Sequence, residues 1–185
     1  MKGLVIIAIG PSGSGKSTLY QKLMKIYGDK IAKISFDDWR VEEYLKYHPE
    51  DKDLPYNELY QKAFQWYLKH KDQLNQLFLE RSEKIISQYP IVYVDNTNLK
   101  IKYRKAFIDL GHRYGKLVVG LVFSIDLNEL IKRDQERSSY EKSVGSEVIK
   151  KQVESYEEPS LREGFDIIMN QKLVNEVLQS YTKEV

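Results

Sequence analysis

The run Gly10-Pro11-Ser12-Gly13-Ser14-Gly15-Lys16-Ser17-Thr18 has the residue types and spacing that hold a polyphosphate. The glycines let the backbone turn tightly and come close to an anion with no side chain in the way. Backbone N–H groups released by that turn point inward at a helix start, where the dipole also favours negative charge. Lys16 adds a positive charge for the β- and γ-phosphates, and the Ser17 hydroxyl is the expected Mg²⁺ ligand. The whole run, Gly10 to Thr18, is therefore expected to bind a nucleoside triphosphate with its metal.

Ser35-Phe36-Asp37-Asp38-Trp39-Arg40 follows a short apolar run. An alcohol attacking a γ-phosphorus must lose its proton, and a positioned carboxylate can take it. Asp37 comes first and is the expected general base. Asp38 sits at a helix start, where a cap is the alternative explanation. Arg40 offers a fixed guanidinium fork suited to a phosphate.

Val94-Asp95-Asn96-Thr97-Asn98 ends another apolar run. Asp95 has the form of a carboxylate that steadies a Mg²⁺ shell or a cationic side chain. Asn96, Thr97 and Asn98 supply short polar groups for substrate binding, or simply residues that tolerate a turn. Arg133 and Arg137 lie four apart on one helical face. An arginine supplied in cis stabilises charge spread over the transferred phosphoryl group, so Arg133 and Arg137 are both candidates for that role, unless they belong to a solvated helix laced with Glu–Arg pairs. The polar residues 138–145 complete an expected lid over 133–145.

Two weaker patterns have two readings each. Lys100, Lys102, Arg104, Lys105, Arg113 and Lys116 make a locally basic segment that suits a phosphodiester backbone or a solvated helix face. Trp39, Tyr44, Tyr47, Tyr56 and Tyr60 suit base stacking or the core.

Positioning these groups requires strands that end together. Apolar, β-branched runs predict strands at Leu4–Ile9, Ile31–Ser35, Ile91–Asp95, Leu117–Ser124 and Phe165–Met169. Helical patterns cover Ser17–Tyr27, Asp38–Tyr47, Tyr56–Gln88, Lys102–Tyr114, Leu127–Ser138, Ser146–Tyr156 and Gln171–Lys183. Alternation of the two predicts an α/β fold, a parallel sheet of about five strands with helices on both faces. Ligands of such sheets bind beyond the carboxyl ends of the strands, which is where Gly10, Asp37 and Asp95 fall. The segment His48–Pro55 is expected as a surface loop, and the whole chain, 1–185, as one domain.

The 185 residues contain no cysteine, which excludes a disulfide framework and cysteine-based zinc or redox chemistry. A net charge of +2 provides no global basic field. The apolar N-terminal run is short, leads into the phosphate loop and lacks a small-residue cleavage site, so it reads as a buried strand. No stretch reaches membrane-spanning length, and the expectation is a cytoplasmic protein with no membrane partner.

In this order the motifs resemble the polynucleotide 5′-hydroxyl kinases, the phage enzymes and the kinase modules of bacterial and animal polynucleotide kinase-phosphatases. The likeness extends from Gly3 to about Asn170. Gly10–Thr18 is similar to the family's phosphate loop, and Asp37-Asp38-Trp39-Arg40 to its acid-acid-aromatic-arginine motif. The resemblance implies Asp37 as general base, Arg40 as ligand of the phosphate 3′ to the acceptor nucleoside, and Arg137 and Arg133 as lid arginines. Asp95-Asn96-Thr97-Asn98 is similar to the Asp-x-Thr-Asn form of bacterial and animal members, whereas the phage enzyme carries its acid at the position of Asn96. A P-loop kinase fold, ATP and Mg²⁺, and 5′-hydroxyl ends of DNA or RNA are implied with it. The chain carries no Asp-x-Asp-x-Thr nucleophile motif and no ligase motif, so a phosphatase or ligase partner is expected to be a separate protein.

Two other readings use the same residues. P-loop kinases acting on a nucleoside, sugar or antibiotic hydroxyl share the loop, the acid after the second strand and the lid arginines. A nucleotide-dependent switch needs only the loop, but the chain has no Asn-Lys-x-Asp guanine motif.

Overall fold

Alternating side chains on the central strand divide the core in two. In β1 (Leu4–Ile9), Val5, Ile7 and Ile9 pack with Val92, Val94, Phe107 and Val118, while Ala8 packs oppositely with Leu19, Tyr20, Leu23 and Phe123. That is the period-two pattern of a strand buried on both faces. The structure, a computed structural model, describes residues 3–137, 143–172 and 174.

β1 is followed by α1 (Lys16–Tyr27), β2 (Ile31–Ile34), α2 (Phe36–Tyr47), α3 (Tyr56–Lys69), α4 (Lys71–Gln88) and β3 (Ile91–Val94). Then come α5 (Ile101–Arg113), β4 (Leu117–Val122), α6 (Leu127–Gln135), α7 (Ser146–Glu154) and β5 (Ile167–Asn170). The five strands lie in the order β2-β3-β1-β4-β5, and every pairing is parallel. The register Leu4↔Ile91 and Ile31↔Ile91 brings the ends of β1, β2 and β3 to one edge. The expected α/β architecture, a parallel sheet with helices on both faces, is the one observed. Among the described residues no helix is long and apolar enough to cross a membrane.

The expected helix Tyr56–Gln88 is two helices. His70 breaks it with φ −124° and ψ 23°, its N–H donating to Tyr67 O while its carbonyl accepts from Leu74 N. His70 Nδ1 lies 2.9 Å from Trp66 O and adds a side-chain contact at the break. Leu74 and Phe78 are buried, but Leu68 and Leu77 face solvent.

α2 begins two residues earlier than expected. Its cap is Ser35, whose Oγ accepts from Asp38 N at 3.3 Å, so Asp38 is not the cap. Asp37 and Asp38 both occupy the first helical turn, where the dipole favours carboxylates. The strand after residue 164 starts at Ile167, because Phe165 turns into the core and Asp166 Oδ2 accepts from Val118 N. The loop His48–Pro55 contains a 3₁₀ turn at Pro49–Asp51. Residues 138–142 of the expected lid, and 173 and 175–183 of the expected C-terminal helix, lie outside the described residues.

Candidate active site

The phosphate loop runs from the end of β1 into α1. Gly10 is required by close approach: a Cβ there would meet Phe123 Cβ and Ser14 Oγ, both at 2.8 Å. Gly13 and Gly15 have φ of 82° and 94°, the left-handed region that favours glycine. Lys16 is buried, and its Nζ donates to Gly10 O (2.9 Å), Pro11 O (2.6 Å) and Ser14 Oγ (3.3 Å), which holds the ammonium over the loop. Beside the loop lies a cleft of about 330 Å³ lined by Gly13, Gly15, Ser17, Thr18, Arg133 and Arg137. Arg133 Nη1 reaches Gly13 O at 3.4 Å, and its Nε is paired with Glu129 at 2.8 Å.

Asp95 leaves β3 beside this loop and is hydrogen-bonded to the Ser17 side chain. Burial holds its carboxyl above the ordinary 3.8, against the hydrogen bond from Ser17 and the charges of Lys16 and Lys33. Mg²⁺ binds through one or two protein oxygens with phosphate oxygens and water completing the octahedron. A hydroxyl and a carboxylate converging at the phosphate loop fit that donor set. Among the described residues no cluster of three or more His, Asp or Glu forms a metal cage.

The rest of the Asp95–Asn98 segment braces the site. Asn96 Oδ1 accepts from Phe36 N at 2.8 Å and so fixes the first turn of α2. Thr97 O accepts from Gly10 N at 3.0 Å. Asn98 was expected at the substrate, and the structure corrects this. It is 2% exposed, adopts φ 49°, and spends its amide on Ala8 O (2.8 Å) and Asn96 O (3.3 Å). It ties β1 to the loop after β3.

On α2, Asp37 is one-third exposed and its Oδ1 lies 3.0 Å from Arg40 Nη2. The Tyr60 hydroxyl, from α3, donates to the same oxygen at 3.3 Å. Arg40 departs from expectation, because it is not an open fork facing a cleft. It is 3% exposed, with its guanidinium 4.7 Å from the Tyr60 ring centroid and 5.1 Å from that of Phe64. The apolar turns of α3 pack over it. Nε and Nη2 of Arg40 are buried with no aligned hydrogen-bond partner. Tyr56 sits nearby, and burial together with the charges of Asp38 and Asp37 pushes its phenol up to about 12, so it stays a donor at neutral pH. Asp38 is drawn to Lys33 of β2 at 2.6 Å rather than to the Asp37–Arg40 pair.

Of the basic segment's two readings, the solvated helix face describes Lys105 and Arg113, and Arg104 fits neither. Arg104 is fully buried, clamped by Glu163 at 2.7 and 2.8 Å and donating to the carbonyls of Asn98, Leu99 and Glu157. Lys105 pairs with Asp109, Arg113 with Glu83, and Lys116 with the Tyr89 carbonyl. Of the candidate stacking rings, Trp39 and Tyr44 are core residues, whereas Tyr56 and Tyr60 are half-buried at the acceptor side.

Several participants carried no signal of their own in the sequence. Lys33 is an interior strand position, Asp134 looks like part of a charged helix, and Gln152 lies far along the chain from the loop amide it meets, Ser12 N (2.7 Å). Only the fold brings them in. Asp134 is 4% exposed and accepts from Arg137 Nη1, Ser143 Oγ, Val144 N and Gly145 N.

A family model described as an AAA domain matches residues 5–159. The chain belongs to this AAA domain family. Its parallel sheet and phosphate loop make the P-loop kinase-like fold. A gluconokinase from Sinorhizobium meliloti 1021 is similar in structure (TM-score 0.56, 20% identity), over 97% of this chain and 91% of that one. A fungal RNA kinase is similar at a TM-score of 0.56 and 13% identity, over 92% of this chain and 38% of that one. A chain of the Pnkp1/Rnl/Hen1 complex is similar at 0.52 and 18%, over 71% of this chain and 39% of the other. These likenesses are likenesses of fold. No curated protein matches the sequence significantly.

Proposed function

We propose that this chain transfers the γ-phosphate of ATP to the 5′-hydroxyl end of a DNA or RNA strand. The observation that carries the reading is the state of Arg40. A guanidinium buried beside a candidate base, with two nitrogens lacking aligned partners, is costly to maintain. An acceptor that carries a phosphate next to its hydroxyl would satisfy those donors and bring the hydroxyl to Asp37. A 5′-terminal nucleoside with its 3′-phosphodiester is such an acceptor. Reaching Arg40 requires the Tyr60 side chain to move aside, and α3 contributes that ring from outside the sheet.

In this reading the loop amides and Lys16 hold the triphosphate, and Arg133 lies against the loop at Gly13. Ser17 and Asp95 would hold Mg²⁺, which would supply positive charge against the triphosphate. The acceptor oxygen bonds to the γ-phosphorus as the bond to the β-phosphate oxygen breaks, and ADP leaves. The hydroxyl proton passes to Asp37, which Arg40 and the Tyr60 hydroxyl hold in place. Arg137, lining the same cleft as Ser17, neutralises charge on the moving phosphoryl group.

The enclosure of Arg40 under Phe36, Tyr60, Phe64 and Tyr67 favours a second reading, a compact alcohol such as a sugar acid or nucleoside. The gluconokinase likeness, which spans nearly both chains, supports the same alternative. Incubation with labelled ATP and parallel acceptors decides between them. The acceptors are 5′-hydroxyl DNA and RNA oligonucleotides, a nucleoside 3′-monophosphate, free nucleosides and gluconate. Label on the oligonucleotides and the 3′-monophosphate is the expected result. Label confined to nucleosides or gluconate replaces the first reading with the second.

A further inference from the structure

We infer that Asp134 is a positioning residue that aims Arg137 at the transferred phosphate and links it to the acceptor-side helix α3. This rests on the phosphoryl-transfer reading of the site. Asp134 lies on the last turn of α6, one turn before Arg137, and its side chain is almost wholly buried. Oδ1 accepts from Arg137 Nη1 (3.1 Å) and Val144 N (3.2 Å), and Oδ2 from Ser143 Oγ (2.8 Å) and Gly145 N (2.9 Å). One carboxylate therefore gathers the residue before the 138–142 segment and the three residues after it. Such a fully bonded buried carboxylate has one low-energy orientation, and the guanidinium paired with it inherits that orientation. Arg137 Nη2 lies 3.6 Å from the position a Cβ on Gly13 would take, as near as Leu130 O, so the aimed group hangs over the phosphate loop.

The same carboxylate reaches the acceptor side. Ser143, bonded to Asp134 through its hydroxyl, donates its N–H to Asn57 Oδ1 on α3 at 3.1 Å. One turn along α3, Tyr60 bonds Asp37. A hydrogen-bonded route thus runs from the lid arginine to the candidate base through Asp134, Ser143 and the first turns of α3.

The test compares ATP and ADP affinities, measured calorimetrically with Mg²⁺, for the wild type, Arg137→Ala, Asp134→Asn and the double variant. Arg137 faces the phosphate that ADP lacks, so Arg137→Ala is expected to weaken ATP roughly tenfold, the scale of one charge-assisted hydrogen bond, and ADP by less than twofold. Asp134→Asn keeps the shape but turns an acceptor into a donor against Gly145 N and Ser143. It is expected to reproduce the ATP-selective loss and to add nothing on top of Arg137→Ala. Asp134→Glu, which keeps the charge but moves the carboxylate, serves if the amide does not fold, with the same selective loss expected. Equal weakening of ATP and ADP, full additivity with Arg137→Ala, or an Arg137→Ala variant without ATP selectivity each overturns the inference. The readout needs no acceptor. A protein that phosphorylates none of the acceptors above yet shows the selective loss overturns the acceptor assignment and leaves the role of Asp134 standing.

Discussion

Asp37 and Arg40 form an ion pair within a single turn of α2, 3.0 Å apart, in which the carboxylate is one-third exposed and the cation almost wholly covered. The asymmetry matters because the two members respond differently to mutation. Removing Asp37 strips the counter-charge from a buried guanidinium, whereas removing Arg40 leaves an anion that water reaches.

Asp37→Ala is therefore expected to lose both activity and stability. Loss of a general base lowers kcat by about 10²–10⁴-fold. The stranded Arg40 costs up to about 3–5 kcal/mol, the range for breaking a buried pair, reduced here by the partial exposure of Asp37. Asp37→Asn keeps an acceptor for Tyr60 and Arg40, so it is expected to lose activity with a smaller fall in Tm. ATP affinity is expected to stay within about twofold in both, since the loop is built from other residues. Single-turnover kinetics and urea denaturation of the two variants check this, and full activity in Asp37→Asn removes Asp37 from its role.

Arg40→Gln separates the two acceptor readings. If the guanidinium takes a phosphate of the acceptor, KM for a nucleoside 3′-monophosphate rises about 10–100-fold, the scale of one to two charge-assisted bonds. An acceptor without phosphate then shows only the smaller loss that comes from releasing Asp37. An equal rise for both kinds of acceptor assigns Arg40 to holding Asp37 alone.

Asp95 makes a prediction with a sign. Burial holds its carboxyl above the ordinary 3.8 in the folded state, so the native state binds more protons than the unfolded chain between that value and the raised one. Stability falls as pH climbs through this window, and the penalty persists above it. Asp95→Asn removes the penalty, so its Tm is expected to exceed that of the wild type at pH 7. The gap is expected to narrow as pH is lowered toward 3.8. Transfer is expected to fall about 10²-fold or more, because the carboxylate beside Ser17 is gone. Calorimetric scans of both proteins from pH 7 downward, with a transfer assay at pH 7, measure the trade. A variant less stable at pH 7 than at pH 4, relative to the wild type, contradicts it.

The sequence was most legible where chemistry and backbone demand coincide. Gly10, Gly13, Gly15 and Lys16 are fixed by spacing, and the unbroken apolar run Leu4–Ile9 signals a buried strand. The break at His70 was not legible, because no proline or glycine marks it and its cause is a capping geometry that many residues adopt. Asn98 and Arg104 were misread for a shared reason. Polar and charged types near a site suggest ligand contact, yet each is buried and hydrogen-bonded to backbone carbonyls. Spacing cannot distinguish a carbonyl partner from a substrate partner. Arg40 was legible as a member of the site but not in its enclosure, which depends on rings from α3 some twenty residues on.

The Arg104–Glu163 clamp offers a test of how the site is braced. Arg104→Met leaves Glu163 as a nearly buried carboxylate without its cation, with an expected cost of about 3–5 kcal/mol. Were the ion pair all that mattered, a second change, Glu163→Leu, would restore most of that stability, since apolar replacements of buried pairs are often neutral. Arg104 also donates to Asn98 O, Leu99 O and Glu157 O, and the double variant leaves those carbonyls without that donor. Recovery is therefore expected to be partial, with about 1–3 kcal/mol still missing for carbonyls left short of a partner. Asn98 holds β1 through Ala8 O, so the double variant is also expected to bind ATP several-fold more weakly at a temperature where it remains folded. Urea midpoints for the wild type, the single and the double variant, with ATP affinity for each, measure the two effects separately. Complete recovery of stability together with unchanged ATP affinity would reduce Arg104 to one half of a salt bridge.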